Sequence, residues 1–172
     1  MPHGNTTIAF KLEPVTERDW LPLVAMRAAV ADQLTAVHGQ GPWSHAPTVK
    51  GLLRELRTSR VFVARDRGGV VASLRLATKK PWAIDVHYFH ACRRPIYLLS
   101  MAVRPELQRQ GIGRRCLEAA VERCRDWPAD AIRLDAYDAA AGAGSFYAKC
   151  GFSEVGRKVY RGCPLIYYEK PL

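Results

Sequence analysis

The chain has 172 residues, of which 48 % are hydrophobic and 24 % charged, and 26 Lys+Arg against 16 Asp+Glu give it a formal charge of +10. That length and balance predict a single globular domain with its own core and exclude gross disorder or a fibrous repeat. No apolar run nears the ~18 residues of a membrane span, and the start lacks the charged-then-apolar shape of a signal peptide, so a soluble cytoplasmic chain is expected.

In chain order, Ile8 to Leu12 reads as a short strand. Thr16-Glu-Arg-Asp19 has the spacing of a capping box, while Pro22, best tolerated in a first turn, also allows a helix start at Asp19. Leu23, Ala28, Val30, Leu34 and Val37 form the apolar side of that helix, which Gly39-Gln-Gly-Pro42 ends. A second helix is expected from about Pro47 to Leu56. The period then changes: Val61–Ala64 and Val70–Ala77 flank Asp66-Arg-Gly-Gly69 as a hairpin. Tyr97–Val103 is a continuous apolar run, the pattern of a strand buried on both faces. A helix follows from Gly113 to about Asp126, with Cys116, Leu117, Ala120, Val121 and Cys124 on one side. Ile132, Leu134 and Ala136 alternate with Arg133, Asp135 and Tyr137 in a further strand. A short helix from about Ala140 to Cys150 stops at a C′ glycine, Gly151, and strands near Glu154–Val159 and Leu165–Glu169 close the chain. This order predicts an α/β (α+β) fold, a central mixed β-sheet flanked by helices. The five cysteines are odd in number and lack C-x-x-C spacing, against a disulfide framework or zinc finger.

The chemistry concentrates between Val103 and Arg115. There a buried strand enters a loop that opens a helix, with Gly111 and Gly113 at the opening. Glycine permits positive φ and close backbone approach, and the first N–H groups of a helix have no internal partner, so this turn is a ready anion site. A helix start disfavours cations, yet this one carries Arg109, Arg114 and Arg115. A polyanion lying over that end accounts for them better than a solvated basic patch. The Walker pattern fails because no lysine follows Gly113, and G-x-G-x-x-G fails at Cys116.

Gln108-Arg-Gln-Gly-Ile-Gly113 resembles the Q/R-x-x-G-x-G/A pyrophosphate loop of the GNAT N-acetyltransferases. Leu98–Pro105 is similar to that family's central strand, and Phe146-Tyr-Ala-Lys-Cys-Gly-Phe152 to its F-Y-x-K-x-G-F segment. The resemblance extends over nearly the whole chain and implies a GNAT-like acyl-CoA N-acyltransferase fold using acetyl-CoA as donor and an amine as acceptor. It implies that Gln108, Arg109, Gln110, Gly111, Ile112, Gly113 and Arg114 hold the pyrophosphate. Met101, Ala102 and Val103 would contact the pantetheine arm, with the Val103 N–H as an oxyanion donor. Tyr147 matches the tyrosine that protonates the departing thiolate and would also touch the cofactor, although by spacing alone it also fits a core aromatic. The chain departs from the pattern at Ala139, where many members carry an asparagine, and Gly142 and Gly144 weaken the helix that follows.

No general base stands out, and Glu106 lies close to the loop. Asp85, His87 and His90 fall in the unassigned stretch 78–95, where they fit an acceptor pocket. The string Asp85-x-His-x-x-His-x-Cys92 is read as surface or pocket histidines rather than a metal site, so no metal is expected. Lys79, Lys80, Arg93 and Arg94 are expected in solvent. The resemblance allows a homodimer and requires no membrane. A nucleic-acid-binding module is the competing reading of the +10 charge, against which stands the lack of any nucleic-acid motif. A non-catalytic acyl-CoA binder is the third. Polyamine, amino acid, aminoglycoside and protein terminus all remain open as acceptor.

Overall fold

The strand-forming stretches pair into one seven-stranded sheet in a computed structural model that describes residues 11–172. The strands are β1 (Leu12–Pro14), β2 (Arg60–Asp66), β3 (Gly69–Ala77), β4 (Pro95–Val103), β5 (Ala131–Tyr137), β6 (Ser153–Tyr160) and β7 (Cys163–Pro171). They lie in the order β1-β2-β3-β4-β5-β7-β6. Every neighbouring pair is antiparallel except β4 and β5, which are parallel and joined through a helix, as a parallel pair requires. The helices are α1 (Trp20–His38), α2 (Val49–Thr58), α3 (Ile112–Asp126) and α4 (Gly144–Lys149). The mixed sheet with flanking helices agrees with the expected fold class.

Alternation along β2 assigns the two faces of the sheet. Phe62 and Ala64 join Leu74, Leu98, Ile132 and Leu134 in a core that α3 covers with Cys116, Leu117, Ala120 and Cys124. Val61 and Val63 turn the other way and meet Leu23 and Met26 of α1 and Leu52 of α2. Further along that second face, Ile84 and Phe89 pack on Tyr97, Leu165 and Tyr167. The stretch 78–95 therefore closes one end of the α1/α2 face, carrying a 3₁₀ turn at Val86–Tyr88. Cys116 and Cys124 are fully buried, as expected of small core residues, and burial pushes both thiols up to about 12.

Several boundaries differ from expectation for identifiable reasons. The first strand runs Leu12–Pro14, and Ile8–Phe10 lie outside the described residues. The two readings of the first helix start merge: Thr16 and Asp19 close a capping box around a 3₁₀ turn, and the α-helix begins at the next residue. In α1 the buried positions are Leu23, Met26 and Ala31, while Val37 is exposed. α2 starts later than predicted because Thr48 caps it, its hydroxyl accepting from the Gly51 N–H at 3.0 Å. α4 is shorter than predicted. Gly142 turns so tightly on the Tyr137 carbonyl that a Cβ there would lie 1.9 Å from the oxygen, which ends any helix before Gly144. Gly151 has φ +83°, the left-handed geometry of a C′ glycine.

The largest correction concerns β4. Its residues Ile96–Leu98 are buried, but Leu99–Val103 are only partly so, with Ser100 exposed. The cause is its neighbour: β5 pairs with β4 only at Pro95–Tyr97 against Ala131–Arg133 and then diverges. A bulge reinforces the opening, since Ser73 to Arg75 faces Ala102 to Leu99, one residue more on β4, and Ser100 takes φ +49°.

Candidate active site

Beyond Tyr97 the backbone edge of β4 that faces β5 has no strand partner. On its other edge, the Arg104 N–H donates to the Val71 carbonyl at 2.8 Å, so these two form a hydrogen-bonded pair of the β3–β4 ladder. Alternation then turns the Val103 N–H away from β3, toward the opening. The Val103 carbonyl accepts from Gln108 Nε2 at 3.1 Å, and the same Nε2 donates to Gln33 Oε1 at 3.0 Å. Gln108 thus ties the end of β4 to α1. Ala102 faces Ser73 across the ladder, and Met101 lies in the bulge.

The loop into α3 has the backbone that its glycines suggest. Gly111 adopts φ +82° as the residue before the helix, and Arg109 also has positive φ, at +62°. The Arg115 N–H bonds the Gly111 carbonyl at 3.1 Å, so the amides of Ile112, Gly113 and Arg114 precede the first intrahelical bond and remain available to a ligand. Arg109, Gln110, Gly111, Arg114 and Arg115 are all exposed. The Arg114 guanidinium donates to the Lys149 carbonyl at 3.2 Å, which tethers α4 and leaves its backbone amide for the loop. Gly113 has a packing role: a Cβ there would meet the Phe146 ring at 3.3 Å and Val103 at 3.7 Å. The two sequence motifs thus touch across the core.

Below this turn a cavity of about 660 Å³ extends through the β4–β5 opening onto the α1/α2 face. Leu98–Ala102 of β4, Asp135–Tyr137 of β5 and Tyr147 of α4 line it, as do residues of α1, α2 and the Trp43 turn. The Tyr147 ring packs against Phe146, Phe152 and Tyr168 with centroids 5.2, 5.8 and 6.2 Å away. It is therefore a core aromatic that also borders the cavity. Burial, with Asp135 and Cys150 adding to it, pushes its phenol well above the ordinary tyrosine range, so the group is a protonated donor at neutral pH.

The histidine-bearing stretch lies elsewhere. Asp85 accepts from His87 at 2.7 Å and pairs with Lys158 at 2.5 Å, while His90 faces Glu169 at 2.7 Å. These residues do not line the cavity, contrary to the pocket expectation; Pro81 and Ala83 of the same stretch do. Among the described residues no group of three His, Cys, Asp or Glu is disposed to hold a metal ion. Lys80 donates to the Pro81 and Ile84 carbonyls, and Arg94 pairs with Asp130 at 2.9 Å, both on the exposed surface.

Three charged cavity residues, Asp135, Arg27 and Glu55, carry no motif, and neither does Arg75 beside Glu55. Asp135 projects from β5 on the α1/α2 face, and burial raises its carboxyl above the usual carboxylate range. Arg27, Glu55 and Arg75 form a buried charged cluster at the other side. The alternation Arg133-Asp135-Tyr137 was visible in the sequence; that its polar face looks into a cavity was not.

A family model described as the Acetyltransferase (GNAT) family matches residues 25–152. Among solved structures, the ribosomal-protein-alanine N-acetyltransferase of Brucella melitensis superposes with a TM-score of 0.69 at 21 % identity, covering 94 % of this chain and 99 % of that one. A GNAT-family acetyltransferase from Listeria monocytogenes gives a TM-score of 0.73 at 19 % identity over 95 % of both chains. An N-acetyltransferase from Staphylococcus aureus gives 0.68 at 15 % identity, over 94 % and 98 %. A search of curated proteins by sequence finds no match. The similarity to the solved structures establishes the fold, and the family match establishes the rest: this chain belongs to the GNAT family of acetyltransferases.

Proposed function

We propose that the chain acts as a single catalytic domain that transfers the acetyl group of acetyl-CoA to a primary amine by direct attack, with both substrates bound at once. The observation that carries this reading is the continuity of one path. It runs from the free amides at the start of α3, along the unpaired edge of β4, to the cavity bordered by Tyr147. The residues fit a coenzyme A: the left-handed Gly111 and the amides of 112–114 suit a diphosphate, and the open β4 edge suits an extended amide-bearing arm. When bound, acetyl-CoA supplies an activated acyl carbonyl.

This chain's own groups do the rest. The Val103 N–H, turned into the opening, holds negative charge on the carbonyl oxygen. Tyr147, kept protonated by burial, donates to the leaving sulfur. Asp135, a carboxyl that burial makes more basic than an exposed aspartate, accepts in its ionised form the proton of the incoming ammonium. No metal is required by this scheme.

Calorimetry with acetyl-CoA tests it. Gly111→Val forces a β-branched residue to φ +82°, so affinity is expected to fall by roughly ten-fold or more as the turn deforms. Unchanged affinity in a folded Gly111→Val protein overturns the diphosphate site.

A further inference from the structure

On the α1/α2 side the cavity borders a charge that the protein leaves unbalanced. Arg27 comes from α1, Glu55 from α2 and Arg75 from β3, and Arg27 and Glu55 line the cavity itself. Arg27 Nη1 lies 2.7 Å from Glu55 Oε2, and Arg75 Nε lies 3.8 Å from the same oxygen, beyond hydrogen-bond reach. The three side chains are only 11 %, 24 % and 15 % exposed. One carboxylate therefore faces two guanidiniums, a net charge of +1 in a desolvated place.

The hydrogen bonding is as incomplete as the charge. Arg27 Nε reaches Ser73 Oγ at 3.4 Å, but Arg27 Nη2 and Arg75 Nε are buried with no partner. Native proteins rarely leave buried donors unpaired, and an unpaired buried cation is costlier still. Burial pulls the Arg75 guanidinium below its ordinary range, with Glu55 opposing and Arg27 adding to the effect. A planar guanidinium pair of this kind complements a carboxylate, which can accept from both.

The remaining walls specify the rest of the occupant. Val30, Leu34, Trp43 and Leu99 present apolar surface. Arg75 stands opposite Leu99 in the β3–β4 register, and Asp135 lies beyond β4 on β5, on the same sheet face. The cation pair and the lone carboxyl thus stand on opposite sides of Leu99.

We propose that the acceptor is a small amine bearing a carboxylate and an apolar body, an amino-acid-type compound. Arg27 and Arg75 take its carboxylate, and its amine faces Asp135 and the β4–β5 opening. This rests on the cavity being the acceptor site of the proposed transferase. It also selects among the classes the sequence left open, because a polyamine or aminoglycoside would set a second cation against the arginines.

Matched pairs provide the test: phenylalanine with phenethylamine, leucine with isopentylamine, and spermidine as the polycation. Binding is measured by calorimetry on the full chain with and without CoA, and kcat/KM with acetyl-CoA. The carboxylated member of at least one pair is expected to be favoured by about 10- to 100-fold, the worth of a hydrogen-bonded charge. Arg75→Met should abolish that preference while leaving acetyl-CoA affinity unchanged, and Arg75→Lys should restore part of it. Should Arg75→Met fold poorly, Glu55→Gln, which removes the one opposing charge, should widen the preference instead. Indifference to the carboxylate, failure of every carboxylated member to bind, a preference for spermidine, or a preference that survives Arg75→Met overturns the inference. Loss of acetyl-CoA binding tells against the transferase reading separately, since carboxylate preference is also read without the cofactor.

Discussion

The two faces of the sheet are built on opposite principles. Under α3 the contacts are almost wholly hydrocarbon, with Leu117, Cys116, Ala120 and Cys124 sealed against Leu74, Leu98 and Leu134. Under α1 and α2 an apolar cluster gives way to a cavity of about 660 Å³ whose lining includes Arg27, Glu55 and Asp135, with Arg75 3.8 Å from Glu55. One face holds the molecule together and fixes the turn at the start of α3. The other leaves buried donors of Arg27 and Arg75 unpaired, an incompleteness that proteins tolerate chiefly at functional sites.

Tyr147 is where the faces meet, and it gives the largest expected effect. Its ring belongs to the packed core, yet the residue also lines the cavity. Tyr147→Phe keeps the ring contacts and removes the proton, so turnover should fall by roughly 10²- to 10⁴-fold with acetyl-CoA affinity and melting temperature nearly unchanged. Steady-state kinetics beside a thermal melt decide it. A Phe variant of undiminished kcat makes Tyr147 a packing residue alone.

The contrast in packing comes next in size. Leu117 is 2 % exposed within the α3 core, and Leu117→Ala should cost about 2–5 kcal/mol in denaturant unfolding. A loss well under this range would mean that the α3 face is less tightly filled than its burial indicates.

Which parts could be read in advance follows the same division. The α3 side was legible because its demands are local: a residue at φ +82° is written as Gly111, and close contact with Phe146 is written as Gly113. The order of elements followed from periodicity, and the hairpin from Asp66–Gly69. The opening of β4 was not legible, since Tyr97–Val103 reads the same whether a strand keeps both neighbours or loses one halfway. The charged side of the cavity was hidden for another reason. Arg27, Glu55, Arg75 and Asp135 come from four separate elements, and each alone looks like the polar side of an ordinary helix or strand. The histidines of 78–95 drew attention by type, but pairing of Asp85 with Lys158 and of His90 with Glu169 takes them out of the cavity.

A satisfied ion pair sharpens the comparison with the unsatisfied one. Asp19 is buried at the start of α1 and receives two hydrogen bonds from Arg65, at 2.8 and 2.6 Å, and others from Thr16. Chiefly through Arg65, its carboxyl is lowered to about 2 from the ordinary aspartate value of 3.8. A depressed carboxylate stabilises the fold above its unfolded value and loses that contribution as pH falls through the folded one. Stability should therefore decline by about 2 kcal/mol between roughly pH 4 and pH 2, and Asp19→Asn should lack that part of the slope. Urea titrations across that window check it, and an unchanged slope in the variant would remove Asp19 as the source.

Asp135 is the opposite case and carries the smallest effect. Burial raises its carboxyl, so ionising it works against the fold, and stability falls as pH climbs past the unfolded carboxylate value toward the folded one. Asp135→Asn should melt no lower than the parent at neutral pH, and higher if the charge is an uncompensated burden. Catalysis should move the other way. An α-amino group of ordinary pKa, about 8, is only ~10 % neutral at pH 7, so a carboxyl that removes its proton is worth roughly ten-fold there and nothing in alkaline solution. The variant's rate deficit should accordingly shrink as pH rises, while the parent's profile keeps an acidic limb set by Asp135. A variant that is both less stable and uniformly slower at every pH would make Asp135 a structural residue, and the hollow face would then owe its charges to the arginine cluster alone.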